Sequence, residues 1–381
     1  MALQVVECEG YRAFSAYTRL SLRPLTVIFG RNNSGKTTLA RLPIFAASSL
    51  IDDENLYVLS AGDIRFGSSF LDLASMDQAH PRISFRISWD PGYSLGIELQ
   101  HVTAGVEQHS VQPRQVTIGD LPPVPLELHQ SQTQPAFRLA LDALREDVRS
   151  KLDNHRRDLS RVVRGIVHVP SGRPPIQNTY TTREPTSWTV SEVPYLLATH
   201  RRLMSDVADW FCKSMDGTRI DLDQAAFAFR FVEESGRSMI SVAESGRGIQ
   251  AVLPVVTILL GIARGQQQAR LVVVEEPEEH LHPSAHGPVA DLLIECSSKA
   301  QTIVETHSEN FILRLRRRIA DGTLSADDIA LHFVTEDHDV VPVLLDEHGT
   351  ATNWPSGVFE SDIEEAQAIV EAKLSAMGDM G

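Results

Sequence analysis

The run Gly30–Thr38, GRNNSGKTT, constrains this chain more than any other stretch of it. An apolar segment, Leu25–Phe29, precedes it and reads as a buried strand, while Lys36–Leu50 after it predicts a helix. Glycines let successive backbone N–H groups wrap an anion without Cβ clashes, and a helix N-terminus turns its positive dipole end toward that anion. The expectation is a phosphate-binding loop in which Gly30, Asn32, Asn33, Ser34 and Gly35 form the cradle and Thr38 lies in the first helical turn. Lys36 is then placed to reach terminal phosphates, and the Thr37 hydroxyl to bind Mg²⁺.

Three further motifs follow in order. Residues 271–283, LVVVEEPEEHLHP, combine a buried strand with two carboxylates at its end, where ligands bind in open α/β sheets. There Glu275 is the candidate Mg²⁺ ligand and Glu276 the candidate general base on an attacking water. Residues 302–308, TIVETHS, deliver His307 from a neighbouring strand end, in reach of a γ-phosphate or the water. Residues 244–250, ESGRGIQ, open an apolar helix with Ser245, Gly246, Gly248 and Gln250, a second anion-binding surface. One chain with two such surfaces implies a ligand shared with another copy. His280 and His282 form a His-x-His pair, a weak metal signal beside their place in the loop after the acidic strand.

The pattern along the chain is that of an α/β protein. Leu3–Glu7 alternates like a half-buried strand, and short alternating runs between Ile83 and Ile118 predict antiparallel strands. Val111–Pro135, rich in Gln and Pro, predicts a loop, and Phe137–Arg164 a charged helix. A strand at IVHVP, a loop over Ser171–Ser187 and a helix over Glu192–Met215 come next. Phe227–Glu233 and Met239–Ala243 predict paired strands. Strands then alternate with helices, which argues for a mainly parallel sheet covered on both faces. The expected organisation is an N-terminal lobe over 1–135 with an antiparallel β subdomain, a helical insertion over 136–225, and a C-terminal lobe over 226–381.

The net charge of −15, from 35 basic and 50 acidic residues, argues against a surface that is nucleic-acid-binding throughout. Two local basic clusters, Arg145–Arg164 and Arg314–Arg318, could still meet DNA phosphates, or could simply pair with neighbouring acids. Cys8, Cys212 and Cys296 lie far apart with no metal-ligand spacing, which fits a reducing compartment. No apolar run approaches the ~20 residues that cross a bilayer, and the first residues do not resemble a signal peptide. The expectation is a cytoplasmic protein without a membrane partner.

The order of these motifs resembles the ABC-type ATPases, in the branch that holds SMC proteins, RecF and the ATPase half of OLD-family nucleases. GRNNSGKTT and EEPEEHLHP carry the likeness, and ECEGYRAF resembles that branch's first strand, making Arg12 a nucleotide-binding candidate. NWPSGVFESD resembles the end of stand-alone bacterial ATPases of phage-defence operons. The resemblance implies an ABC-ATPase head that binds ATP and Mg²⁺ and hydrolyses ATP. It implies a homodimer in which Ser245, Gly246, Gly248 and Gln250 meet ATP held by the other subunit. A separate effector or nuclease protein, and DNA, are the further partners it suggests. Departures are Glu275 where Asp is commoner, Arg247 between the signature glycines, and no clear coupling glutamine, Gln78 being a weak candidate. A RecF-like repair ATPase, a transporter's ATP-binding subunit and an ATP-binding scaffold with little turnover are the competing readings.

Overall fold

Apolar strands without alternation need cover on both faces, and here they form the interior of a six-stranded sheet. Its order is Ile166–Val169, Leu271–Glu275, Gln301–Thr306, Leu25–Gly30, Ile329–Val334 and Val340–Val343. The first five run parallel and the last pairs antiparallel. The computed structural model describes residues 2–52, 55–75, 81–104, 108–126, 141, 144–181, 183–215, 217–223, 228–232 and 239–355. The architecture is α/β and built from both ends of the chain, since the phosphate-loop strand sits between strands contributed by residues beyond 300.

Strand alternation sorts side chains into two cores. Leu25, Val27, Phe29, Val272, Val274 and Val304 enter one, beneath the helix Arg247–Ala263. Ile28, Leu271, Val273 and Ile303 enter the other with Leu39, Ala40 and Phe45 of the helix Lys36–Ile51. The period of two therefore aims Glu275 and Glu305 at the face covered by Lys36–Ile51. A second six-stranded sheet, antiparallel, packs on the far side of that helix and contains Val5–Glu9, Thr18–Ser21, Arg82–Asp90 and Tyr93–Ala104.

The structure revises the expected elements in three places. Val111–Pro135 is not all loop, because Gln108–Ile118 pairs along Tyr93–Ala104. Arg114 and Gln115 of this strand reach across to its neighbour, Arg114 donating to Gln100 and Gln115 to Glu98. The helix expected over Glu192–Met215 is broken into Val193–Thr199 and Arg201–Ser214. At the break the Thr199 hydroxyl donates to the Tyr195 carbonyl at 2.8 Å, and His200 Nδ1 lies 3.1 Å from that of Leu196. The paired strands near 230 gain a third, Arg219–Asp223. The strand expected at IVHVP is Ile166–Val169, an edge strand of the central sheet. Gln78 and the residues after Pro355 lie outside the described residues, as do Phe227 and Glu233.

The basic clusters are largely used inside the fold. Arg314 and Arg318 both fork onto Asp291 of the preceding helix, and Arg316 donates to the Gly349 carbonyl. Arg156 holds the carbonyls of Leu50 and Asp52, just past the phosphate-loop helix. Arg317 is exposed and has no partner among the described residues. Burial pushes the Asp291 carboxyl up, but bonds from Arg318 and Arg314 outweigh it and hold it at about 2. A depressed carboxylate stabilises the fold above its ordinary range and loses that contribution as pH falls through the folded value. Asp291→Asn is expected to cost about 1–2 kcal/mol, read as a lower urea midpoint at pH 7. The gap to the parent should narrow toward pH 2.

Candidate functional site

The loop Gly30–Gly35 turns between strand and helix with alternating backbone hand: φ is +150° at Gly30, +64° at Asn33 and +97° at Gly35. Gly30 is obligatory, since a Cβ there would sit 2.4 Å from the Val334 carbonyl of the adjacent strand. Gly35 caps the helix in the left-handed region, and the first turn holds no acidic residue to offset the positive helix end. Asn32 and Asn33 are exposed, and Thr38 is half-buried on the first turn. The Ser34 hydroxyl is buried with no hydrogen-bond partner. Lys36 is buried and donates to the Arg31 carbonyl. Burial lowers its pKa, against the pull of Glu305 and Glu276.

Arg12 lies at a positive-φ turn whose neighbours Ala13 and Phe14 pack on Gly35. The turn is therefore beside the phosphate loop, but the guanidinium is directed to the Phe66 carbonyl.

The acidic motif divides into distinct environments. Glu275 is fully buried, and its carboxylate is held by Arg41 at 2.5 and 2.6 Å, by His168 at 2.7 Å and by the Ser171 N–H at 3.2 Å. Burial raises its pKa, but the bonds from Arg41 and His168 outweigh that and hold it at about 2. Sequence reading paired Glu275 with Thr37, but the Thr37 hydroxyl donates at 2.7 Å to Glu305 instead. Burial pushes the Glu305 carboxyl up to about 7, against the Thr37 bond.

Glu276 sits past the strand at φ +43°, a strained position for a non-glycine residue. Arg173 holds that turn: its guanidinium donates to the carbonyls of Pro170, Glu275 and Glu276 at 2.8–3.0 Å. The Glu276 carboxylate is half-exposed, and burial, with Glu278 and Glu279, raises its pKa. His307 Nε2 lies 3.7 Å from it. Burial, aided by Lys36, lowers the His307 pKa to about 4, so the ring is neutral at neutral pH. Glu278 fastens the end of this strand, accepting from the Thr306 hydroxyl and the His307 N–H.

The phosphate-loop lysine, Glu276 and His307 therefore converge, as their sequence order predicts. Arg41, His168, Arg173 and Glu305 join the site without an expectation from the sequence, while Glu278 belongs to the loop after the acidic strand. His168 and Arg173 lie outside the motifs, Arg41 lies one turn along the phosphate-loop helix, and Glu305, two residues before His307 on an apolar strand, was the most legible of them. A cleft of about 580 Å³ lined by Arg41, His168, Pro170 and Trp188 lies elsewhere, with no residue of the loop 30–38 in its wall.

The signature segment lies at the start of Arg247–Ala263. Gly246 caps the helix and faces open space, while Ser245 donates to the Val242 carbonyl at 2.6 Å. Gln250, expected to reach a nucleotide across the dimer, is buried and spends its amide on the carbonyls of Ala243 and Ser245. A Cβ on Gly248 would meet the His280 carbonyl at 2.4 Å, so this helix and the acidic loop touch by backbone. Gly248→Ala is expected to destabilise the fold by about 1–3 kcal/mol, measured as a fall in the thermal midpoint. His282 is itself a cap, accepting from the Ser284 N–H, which accounts for one half of the His-x-His pair.

Residues 192–312 match the family described as the AAA ATPase domain. The segment runs through the signature helix, the acidic strand and His307. Among solved structures, an SMC head bound to the C-terminal winged-helix domain of ScpA aligns with TM-score 0.50 at 15% identity. The alignment covers 91% of this chain and 99% of that one. The fold is that of an SMC head. The SMC head domain from Thermotoga maritima also aligns, at 13% identity and TM-score 0.43, covering 91% of this chain and 100% of that one. A Pyrococcus furiosus SMC head with an extended coiled coil, bound to the ScpA C-terminal domain, aligns at 14% identity and TM-score 0.46 over 97% and 99%. No curated protein matches the sequence. No helix among the described residues is long and apolar enough to cross a membrane.

Proposed function

We propose that this chain binds ATP with a divalent cation and hydrolyses it, as an ABC-type ATPase that closes around nucleotide as a dimer. The observation that carries this reading is the convergence of Lys36, Glu276 and His307 at one end of the parallel sheet, beside a loop of left-handed backbone at a helix N-terminus. In this reading the loop N–H groups and Lys36 hold the phosphates. Glu276 orients a water, takes its proton as oxygen attacks the γ-phosphorus, and ADP leaves. A raised pKa suits a base that must accept that proton. The neutral His307 ring offers one donor and one acceptor to the γ-phosphate or the water. Mg²⁺, held beside the Thr37 hydroxyl, would spread the phosphate charge; the unpartnered buried oxygen of Glu305 next to it fits such a cation.

Gly246, open to solvent at a helix N-terminus, supports a contact with nucleotide held by a second copy. Hydrolysis per chain should then rise with protein concentration, and mass should double with ATP present. Phosphate release and light scattering across a dilution series measure both, and a concentration-independent rate from a monomer would sink the dimer. The reading extends to a cytoplasmic regulator that works with a separate effector in antiphage defence, on the strength of the C-terminal resemblance beginning at Asn353. Direct DNA binding finds little support, since most of the arginines in both clusters are spent on intramolecular partners.

A further inference from the structure

Glu275 and Glu305 occupy paired positions on neighbouring parallel strands, and both face the helix Lys36–Ile51. Thr37 and Arg41 lie one turn apart on that helix, so each carboxylate receives one of them. The assignment is unequal. Both oxygens of Glu275 are occupied, Oε1 by Arg41 and His168, Oε2 by Arg41 and the Ser171 N–H. Its charge is already matched by a guanidinium, and a cation placed there would be repelled by Arg41.

Glu305 is 2% exposed, yet only its Oε1 is bonded, to Thr37. Its Oε2 is buried and meets no donor. A buried carboxylate oxygen without a partner is costly, and a bound cation removes that cost. Glu276, Glu305 and His307 also bring one donor atom apiece within 4.8 Å of one another. The two carboxylate oxygens among them, with the Thr37 hydroxyl beside Glu305, suit a hard divalent ion that keeps several of its waters.

We infer that Glu305, and not Glu275, supplies the carboxylate that holds the divalent cation beside the Thr37 hydroxyl. Glu275 instead forms a permanent internal ion pair that locks the phosphate-loop helix to the sheet. The acidic function has moved one strand along, from the end of Leu271–Glu275 to the end of Gln301–Thr306. This rests on the nucleotide reading above.

The test uses the full chain, Mn²⁺ as the probe and a non-hydrolysable ATP analogue, with bound metal counted by electron paramagnetic resonance. Glu305→Gln is expected to weaken Mn²⁺ binding about 10- to 100-fold, while Glu275→Gln lowers the thermal midpoint and leaves Mn²⁺ affinity near that of the parent. Because Glu275→Gln could fail to fold, the anomalous scattering of Mn²⁺ in crystals of the unmodified chain provides the second measurement. A peak against the Glu305 carboxylate supports the inference. A peak against Glu275, or unchanged affinity in Glu305→Gln, overturns it. Binding of a fluorescent ATP analogue in the presence of Mn²⁺ separates the two levels. Nucleotide bound with Mn²⁺ at Glu275 defeats only this inference, whereas a chain that binds no analogue defeats the nucleotide reading as well.

Discussion

Glu276→Gln is expected to lower ATP turnover about 10²- to 10⁴-fold, the usual contribution of a positioned general base, while ATP stays bound. The amide keeps the size of the side chain and can still donate or accept, but it takes no proton. Arg173 holds the turn through backbone carbonyls, so the substitution should leave φ at position 276 and the fold unchanged. The trapped state should be the nucleotide-bound one, and light scattering with ATP should show twice the chain mass. Single-turnover phosphate release measures the chemistry directly. Parent-like turnover would mean that another group activates the water, and His307, at 3.7 Å, would be the next to change.

Lys36→Ala is expected to weaken ATP binding about 100-fold, since hydrogen bonds to charged groups contribute roughly 1.5–3 kcal/mol each. Its effect on stability should have the opposite sense. The ammonium is buried and burial lowers its pKa, so the native state pays to keep it charged. Calorimetry of the variant should therefore show a thermal midpoint no lower than the parent's, together with lost heat of ATP binding. A variant that melts early and still binds ATP would make Lys36 a structural residue. The two substitutions separate binding from chemistry, because one weakens the first and the other slows only the second.

Much of this was legible in the amino-acid sequence. A phosphate loop is local: its glycines, lysine and threonine act within nine consecutive residues, and the strand and helix around it announce themselves by period. The same holds for the acidic strand and the histidine strand, whose apolar runs are too regular to be loops. Local competition was harder to see. The helix over Glu192–Met215 breaks because the side chains of Thr199 and His200 engage carbonyls of its last turn, and no change of hydrophobic period marks the place. The strand Gln108–Ile118 was hidden for a similar reason, since its run of Gln, Ser, Pro and Arg resembles a loop in composition.

What the sequence by itself determined is most of the reactive groups and their order along the chain: Lys36, Glu275, Glu276 and His307 all stand at strand or helix ends. What only the tertiary structure decided is their pairing. Glu275 and Glu305 are both acids at the ends of apolar strands, equivalent on paper. The parallel register sets them side by side, and one helical turn then brings Arg41 to the first and Thr37 to the second. That choice spans 234 residues in one case and 268 in the other. It depends on where a helix lies across a sheet, a long-range packing outcome that no local pattern encodes.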